Sequence, residues 1–125
     1  MSEYSKPLPG LEGLTKDFYG FCKQESLHFQ QCSQCGVFRH VPRETCAECN
    51  SFEWEWTKSS GRGTIFSWGV INRALHPAFY DPSPDAVPMA PIVVEMEEGV
   101  RLVSNMVDCP PDQLEMGMPV SAVFE

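Results

Sequence analysis

Two Cys-x-x-Cys pairs constrain this chain of 125 residues more than any other feature. Cys32 and Cys35 form the first pair, and Cys46 and Cys49 form the second after ten intervening residues. Two tight turns that each present two thiolates suit a tetrahedral Zn²⁺ site, because zinc prefers soft sulfur ligands and a closed set of four leaves no position for a catalytic water. We therefore predict a structural Cys₄ zinc site held by one short hairpin.

Other uses of these cysteines fit the sequence less well. Disulfides need an oxidising compartment, and residues 1–6 lack the apolar stretch of a signal peptide. A redox Cys-x-x-Cys is single and lies near a βαβ pattern, which this chain lacks, whereas iron stays open as an alternative metal. His40 lies between the pairs and could replace one sulfur, although the complete set of four favours an ordinary histidine. Cys22 and Cys109 are interpreted as buried reduced thiols.

The charge balance argues against a nucleic-acid partner. Asp and Glu number 17 against 9 Lys and Arg, so the formal net charge is −8, and the basic residues are scattered. Phosphate backbones require clustered Lys and Arg. No apolar run approaches the ~20 residues of a membrane span. With reduced cysteines and no targeting segment, we expect a cytoplasmic protein that is not in a membrane.

Local patterns predict a mostly β chain with one short N-terminal helix. Phe18, Phe21 and Cys22 share a helical face, so we predict a helix from about Lys16 to Ser26. Thr15 is the expected N-cap. Strands are predicted for the alternating or β-branched stretches 27–31, 37–41, 52–56, 64–75, 92–96, 100–107 and 120–125.

The order of these elements predicts a zinc ribbon followed by a small barrel. The turn-rich stretch 59–64 forms a hinge between them, and Gly69 would allow a bulge or a sharp bend in the long strand that follows. Glu97-Glu98-Gly99 is a hairpin signal. A long coiled strand, a hairpin and a closing strand fit a Greek-key barrel of the OB type. We therefore divide the chain into an N-terminal arm and helix, a zinc ribbon and an OB-fold, over residues 1–26, 27–58 and 59–125.

An aromatic stripe marks one of the predicted strands. Phe52, Trp54 and Trp56 lie on one face, with Glu53 and Glu55 on the other. Such a stripe can stack a nucleobase or an adenine ring. We interpret it instead as the packed seam between the ribbon and the next unit.

Several short motifs occur in a fixed order along the chain. They are the four cysteines, Ser60-Gly61-Arg62-Gly63-Thr64, His76-Pro77-Ala78-Phe79, Glu98-Gly99-Val100-Arg101-Leu102 and Met116-Gly117-Met118-Pro119-Val120. In this order the chain resembles, from about Asp17 onward, the proteins that join a rubredoxin-like zinc ribbon to an acyl-CoA-associated OB-fold. Within that family it is most similar to forms that accompany thiolase-fold aldolases or hot-dog-fold hydratases in steroid side-chain breakdown.

The resemblance implies an accessory subunit with no catalytic residues of its own. Such a protein forms a hetero-oligomer with a thiolase-like enzyme and helps to enclose a CoA thioester. The residues agree, because the sequence offers no nucleophile, base and orienting group in a recognisable set, and the histidines at 28, 40 and 76 are isolated.

Four residues are candidates for the CoA and acyl pocket. Arg62 and Arg73 flank the long predicted strand and would contact phosphates, although exposed arginines are usually solvated. His76 and Phe79 lie in the proline-rich loop, where function often concentrates, and an inert connection is the alternative for that loop.

Other functions stay open at this point. The partner could be a hot-dog-fold enoyl-CoA hydratase, and both ribbons and OB-folds also occur in single-stranded nucleic-acid modules. An independent enzyme is a third possibility. Members of the resembled family usually continue beyond the position of Glu125, so we expect either a barrel edge that a partner completes or a shortened chain.

Overall fold

The computed structural model describes residues 7–73, 76–79, 82–86 and 88–124. Within these residues it confirms the mostly β class with one short N-terminal helix. The elements in chain order are α1 Gly13–Lys23, β1 His28–Cys32, β2 Phe38–Arg39, β3 Trp54–Lys58, β4 Arg62–Trp68, β5 Pro91–Met96, β6 Arg101–Asn105 and β7 Pro119–Ser121. Single 3₁₀ turns occupy Pro77–Phe79 and Pro111–Gln113.

Helix α1 begins three residues earlier than predicted, and Thr15 is not its cap. The N-cap is Glu12, which makes no side-chain capping bond. The hydroxyl of Thr15 donates to the carbonyl of Glu12 at 2.6 Å, so Thr15 lies inside the first turn instead of before it. The predicted N-cap was therefore wrong, because a threonine hydroxyl within a helix can bond to a carbonyl of the preceding turn.

The C-terminal end of α1 explains why it stops at Lys23. The amide of Ser26 donates to the carbonyl of Phe21 at 3.0 Å, and that of Glu25 donates to Cys22 at 2.9 Å. Glu25 has a φ of 58°. This pair of bonds around one left-handed residue is a Schellman motif, which satisfies the last carbonyls and turns the chain into β1.

The ribbon is a three-stranded antiparallel sheet in the order β2-β1-β3. Gln30 on β1 lies between Arg39 on β2 and Trp56 on β3, and Cys32 pairs with Trp54. Strand β2 has only two residues instead of the predicted five, because the chain leaves the sheet after Arg39 to form the second cysteine turn.

The OB-fold part is a four-stranded antiparallel sheet in the order β6-β5-β4-β7. The bulge in β4 lies between Ile65 and Ser67, whereas the sequence was interpreted as allowing a bulge or sharp bend at Gly69. Gly69 remains paired, since its amide donates to the carbonyl of Pro91 at 2.9 Å. The hairpin signal is confirmed: Gly99, with a φ of 92°, turns the chain between β5 and β6.

Close strand packing explains one glycine of β4. A Cβ added at Gly63 would lie 2.6 Å from the carbonyl oxygen of Glu95 and 2.7 Å from a methyl group of Val94. Real Cβ atoms do not approach backbone oxygens so closely, and the backbone of β5 cannot move aside independently. Only glycine therefore fits between β4 and β5 at this position.

The helix, the ribbon and the four-stranded sheet share one hydrophobic core. Phe29 of β1 is completely buried and Ile65 of β4 is 1 % exposed. The buried residues of the cluster are Phe18, Leu27, Phe29, Ile65, Ala90, Ile92, Val94, Met96, Val100 and Leu114. The apolar face predicted for α1 enters this core through Phe18 and the partly buried Cys22.

The aromatic stripe was only partly interpreted correctly. Phe52 is 72 % exposed, so it belongs to no seam. Trp54 and Trp56 meet edge to face with ring centroids 5.2 Å apart, and Trp56 contacts Phe21 of α1 at 5.7 Å. The two tryptophans therefore pack against each other within the ribbon, and Trp56 also packs against helix α1.

The stretch predicted as a hinge is tied to the β5–β6 hairpin. The hydroxyl of buried Ser59 donates to Oε1 of Glu98 at 2.8 Å, and the amide of Ser60 donates to Oε2 at 3.1 Å. The amide of Ser59 donates to the carbonyl of Leu27 at 2.8 Å. We call these three contacts the Glu98 latch, which links the ribbon to the four-stranded sheet.

Candidate functional site

The four predicted ligand cysteines come together in one cluster. The sulfurs of Cys32 and Cys49 lie 3.5 Å apart, and those of Cys35 and Cys46 lie 3.6 Å apart. All four lie within 4.8 Å of one another. Four sulfurs placed about 2.3 Å from a central zinc ion would be separated by about 3.8 Å. The donor set therefore fits a tetrahedral metal ion.

The two cysteine turns have the same local conformation. In the first, the amide of Gly36 donates to the carbonyl of Cys32 at 3.0 Å, and in the second that of Asn50 donates to Cys46 at 2.9 Å. Gly36 and Asn50 have φ values of 77° and 63°. Glycine and asparagine are the residues that adopt positive φ most readily, which is why the chain can fold each turn tightly around its sulfurs.

Backbone amides stabilise one thiolate in each turn. The amide of Cys35, together with that of Gln34, donates to the sulfur of Cys32 and lowers its pKa to about 6, against an opposing effect of burial. The amide of Cys49 similarly lowers the pKa of Cys46. Both sulfurs are buried, at 2 % exposure for each residue.

The remaining sulfur of each turn stays a thiol more readily. The amide of Ser51 favours the thiolate of Cys49, but burial and the three neighbouring sulfurs outweigh it and raise the pKa to about 12. The pKa of Cys35 is also raised, by burial and by the sulfurs of Cys46 and Cys32, against the amide of Val37. A thiol that donates a hydrogen bond to a neighbouring sulfur keeps its proton more readily, and a cation among the four sulfurs would favour the thiolates instead.

His40 lies outside the cluster, as its interpretation as an ordinary histidine required. Its ring packs 4.9 Å from that of Phe18 and 5.4 Å from that of Phe29. Burial lowers its pKa from the usual 6.5. In the described part of the chain, the cluster of possible metal ligands consists of Cys32, Cys35, Cys46 and Cys49, and it does not include His40.

The two other cysteines lie apart from the cluster. Cys22 and Cys109 are free thiols that are only partly buried against the core, where the sequence predicted buried thiols. Burial raises the pKa of Cys22. A neutral thiol packed against apolar side chains behaves as a small hydrophobic residue.

The four residues predicted to contact CoA do not form one group. Arg62 begins β4, whereas Arg73 and His76 lie beyond the other end of that strand. The seven residues of β4 alone span about 20 Å. Phe79 ends the 3₁₀ turn after His76, and its side chain lies outside the described part of the structure.

Arg62 already has an acidic partner. Its Nε lies 3.2 Å from Oε1 of Glu97, in a pair whose side chains are 69 % and 50 % exposed. A shallow depression beside it is lined by Arg62, Gly63, Thr64, Glu95, Met96, Glu97, Pro119, Val120 and Ser121. The two carboxylates in that lining would oppose a phosphate group.

Near His76, the loop has local order of its own. The amide of Ala78 donates a hydrogen bond to Nδ1 of the His76 ring at 3.1 Å, which fixes the start of the 3₁₀ turn. Arg73 and His76 are both exposed. Of the four residues predicted to contact CoA, Arg73, His76 and Phe79 therefore lie on the same loop, and Arg62 does not.

Sequence reasoning missed an arginine on the outer face of the four-stranded sheet. The guanidinium of Arg101 lies 3.9 Å from the ring centre of Phe66, and Val103 beside it is 71 % exposed. In the register of β5 and β6, Arg101 lies opposite Glu95. Alternation along β4 and β6 places Phe66, Arg101 and Val103 on one face of the sheet. The sequence does not show that β4 and β6 both pair with β5, which is what sets Phe66 beside Arg101.

Comparison with known proteins covers both parts of the chain. The family model described as the C-terminal OB-fold domain of ChsH2 matches residues 56–125. A DUF35 domain-containing scaffold protein of Methanothermobacter thermautotrophicus is 40 % identical over 95 residues, which are 75 % of this chain and 68 % of that protein.

Two longer relatives match over most of the chain. A probable enoyl-CoA hydratase alpha subunit of Thermomonospora curvata is 36 % identical over 115 residues, or 92 % of this chain and 34 % of that protein. The 3-oxo-4,17-pregnadiene-20-carboxyl-CoA hydratase alpha subunit of Mycobacterium tuberculosis is 32 % identical over 110 residues, or 88 % and 33 %. The chain therefore spans about a third of the length of these two relatives.

Among solved structures, a chain of the Ltp2-ChsH2(DUF35) aldolase is similar to this protein in fold and sequence. The two share 33 % identity with a TM-score of 0.79, over 91 % of this chain and 85 % of the other. This likeness includes the cysteine ribbon as well as the OB-fold, because 91 % of the chain cannot be covered by either part alone. In the described residues, no helix has the length and apolar character needed to cross a membrane.

Proposed function

The chain belongs to the family of the ChsH2 C-terminal OB-fold domain, and we propose that it is a non-catalytic accessory subunit of an acyl-CoA-processing complex. It pairs with a thiolase-fold aldolase or thiolase and helps to form the CoA-thioester pocket of that partner. The observation that carries the proposal is the likeness over 91 % of the chain to a chain of the Ltp2-ChsH2(DUF35) aldolase. A relative named as a scaffold protein supports the non-catalytic role.

The cysteine cluster serves this role as a structural Zn²⁺ site. The sulfur separations of 3.5 and 3.6 Å match a tetrahedral ion, and four protein ligands leave no position for a reacting water. Bound zinc would neutralise part of the thiolate charge and hold the two cysteine turns together. The ion thus stabilises the ribbon against which α1 packs.

The described residues give no support to chemistry by this chain itself. His28 stacks on Phe21 with ring centroids 3.8 Å apart, and His40 is packed between aromatic rings. The hydroxyl of Ser26 lies 3.4 Å from Nδ1 of His28, but in the described chain no carboxylate hydrogen-bonds to that ring to orient it as a base. Catalytic acid, base and nucleophile would then come from the partner.

Contacts with the thioester are assigned to the loop after β4. Arg73 would meet a phosphate, and His76 and Phe79 would line the acyl or pantetheine channel. Arg62 is a separate contact at the other end of β4, which would exchange Glu97 for a phosphate group. The exposure of Arg73 and His76 supports these assignments.

The substrate class that we propose is the CoA thioester of a steroid side chain, handled in the cytoplasm. The name of the Mycobacterium tuberculosis relative specifies a pregnadiene carboxyl-CoA. The two hydratase subunits among the relatives also favour a second candidate function, in which the partner is a hot-dog-fold enoyl-CoA hydratase. Nucleic-acid binding is disfavoured by the net charge of −8.

Co-expression tests the proposal directly. The chain is co-expressed with thiolase-like and hot-dog-fold proteins encoded near it, and complexes are isolated by size exclusion with zinc analysis. A stable complex with a thiolase-like protein, whose retro-aldol or thiolytic turnover of an acyl-CoA requires this chain, is the expected result. A complex with the hydratase alone would establish the second candidate. Turnover by the isolated chain, or salt-sensitive binding to single-stranded DNA without either partner, would overturn both.

A further inference from the structure

Arg39 is a buried cation in the hairpin that carries the cysteines. The residue is 5 % exposed and lies on β2, between the two cysteine turns. Its Nε donates to Oε1 of Gln30 and to the carbonyl of Arg43, each at 3.0 Å, and its Nη2 donates to the same carbonyl at 2.7 Å. Both acceptors are neutral.

This guanidinium lacks the partner that a buried charge normally has. Nη1 has no hydrogen-bond partner in the described part of the chain, and no carboxylate there lies within ion-pair distance of Arg39. Burying a charge without a counter-charge is costly, and most buried charges are paired. A negative group that compensates Arg39 should therefore lie nearby.

The cysteine cluster is a negative group that the strand pairing places near Arg39. Arg39 pairs with Gln30 on β1, and Gln30 precedes Cys32 by two residues, about 7 Å along the strand. The guanidinium carbon lies 5.8 Å from the ring centre of Trp54, which is the cross-strand partner of Cys32. Four thiolates around a divalent ion carry two net negative charges in this region.

We propose that Arg39 is a positioning residue of the metal centre, whose buried guanidinium offsets the negative charge of the metal–tetrathiolate site while its hydrogen bonds fix the loop before Cys46. The inference rests on the proposed zinc site. The hydrogen bonds to the carbonyl of Arg43 hold the chain three residues before Cys46. Mutation of a residue that surrounds the metal ligands without binding the metal itself typically lowers metal affinity about 10- to 100-fold.

The test compares substitutions that separate charge from hydrogen bonding. Arg39→Gln removes the charge, and Arg39→Lys keeps the charge but loses the planar fork. Arg43→Gln is the matched control, because it removes the same charge from an exposed side chain of the same loop while keeping the backbone groups that Gln30 and Arg39 bind. Zinc affinity of the whole chain is measured by competition with a chromophoric chelator.

A reduction potential provides a readout that a purely structural role would not change. In the iron-substituted protein, dithionite supplies one electron to convert Fe³⁺ to Fe²⁺, and the site gains one negative charge. A nearby buried cation favours the reduced form. The potential should therefore fall in Arg39→Gln, stay close to the native value in Arg39→Lys, and be unchanged in Arg43→Gln, where water and salt screen the charge.

The expected zinc results follow the same order. Arg39→Gln should weaken zinc binding about tenfold or more, Arg39→Lys less, and Arg43→Gln less than about twofold. Native zinc affinity in Arg39→Gln would overturn the inference and leave the zinc site intact. Equal losses in both Arg39 variants with an unchanged potential would assign only hydrogen bonding to Arg39 and also overturn the inference. Failure of both variants to load metal would show that Arg39 is needed to fold the hairpin, which overturns a role in charge compensation as well. A native chain that loads no zinc would overturn the site and this inference together.

Discussion

The Glu98 latch predicts that substitution of two adjacent carboxylates, Glu97 and Glu98, changes stability by different amounts. Glu98 accepts from the hydroxyl of Ser59 at 2.8 Å and from the amide of Ser60 at 3.1 Å. Ser59 is 7 % exposed, and its hydroxyl also accepts the amide of Gly61 at 3.0 Å. The neighbouring Glu97 is instead half exposed and pairs with Arg62 at 3.2 Å.

The perturbation is Glu98→Gln, which removes the charge and leaves one oxygen where there were two. A hydrogen bond to a charged group contributes about 1.5–3 kcal/mol. Because Ser60 is exposed, water can replace its lost acceptor, but the buried hydroxyl of Ser59 cannot be solvated as easily. We therefore expect the free energy of unfolding to fall by about 2 kcal/mol, with a decrease in Tm of about 8 °C.

The assay is urea unfolding of the metal-loaded protein, followed by tryptophan fluorescence. Trp54 and Trp56 report on the ribbon, and Trp68 reports on the four-stranded sheet. The midpoint should shift while the denaturant slope m stays constant, since the folded surface is unchanged. Glu97→Gln is the control, and it should change stability by less than about 0.5 kcal/mol because exposed ion pairs contribute little.

Two results would refute the reasoning about the latch. Equal destabilisation by Glu97→Gln and Glu98→Gln would mean that only the net charge of the hairpin matters. A loss below about 0.5 kcal/mol in Glu98→Gln would mean that solvent or the remaining oxygen replaces both bonds, so that the carboxylate of Glu98 adds no stability to the link between ribbon and sheet.

The other predictions concern the core, strand packing, pH and the metal. Phe29→Ala should reduce the free energy of unfolding by about 3–5 kcal/mol, since Phe29 is completely buried, and urea unfolding checks this. Gly63→Ala should reduce the free energy of unfolding by about 1–3 kcal/mol, because its Cβ would collide with the carbonyl oxygen of Glu95. Gly69→Ala is the control: its Cβ would meet only one atom, at 4.0 Å, so it should reduce the free energy of unfolding by less than half as much in the same assay. Burial lowers the pKa of His40 from 6.5, so as the pH falls below 6.5 the unfolded chain binds a proton at His40 before the folded protein does, and stability should decrease. His40→Phe should remove this part of the dependence of Tm on pH, measured by thermal scans between pH 7.5 and about 5. Removal of metal by a chelator should abolish the near-UV circular dichroism of the ribbon tryptophans, and added Zn²⁺ should restore it.

Local features of the protein could be predicted well because their causes are local. The spacing of Cys32, Cys35, Cys46 and Cys49 alone brings two thiols to each of two turns, and the periodicity of Phe18 and its neighbours defines one helical face. The Glu97-Glu98-Gly99 turn requires only a positive φ at Gly99, which glycine supplies. The order of such elements was sufficient for the mostly β class, the ribbon and the OB-fold.

Positions that depend on strand register were not predicted. The bulge between Ile65 and Ser67 shifts the pairing with β5, and it lies where neither residue gives a turn signal. The pairing of β4 and β6 with β5 sets Phe66 under Arg101, although the two residues are far apart in the sequence. Thr15 was misplaced for a different reason, because its hydroxyl bonds to the carbonyl of Glu12 inside the helix instead of capping it.

The sequence by itself therefore determined the pairing of thiols in two turns, the class of fold and the order of its two β units, because spacing and alternation act within a few residues. The tertiary structure alone decided that Arg39 is buried beside the cysteine hairpin, that Glu98 joins the ribbon to the next sheet, and that Arg62 lies apart from His76. These relations arise from pairing between strands distant in the chain, where the free energy of burial and of shared hydrogen bonds is settled only when the whole core assembles.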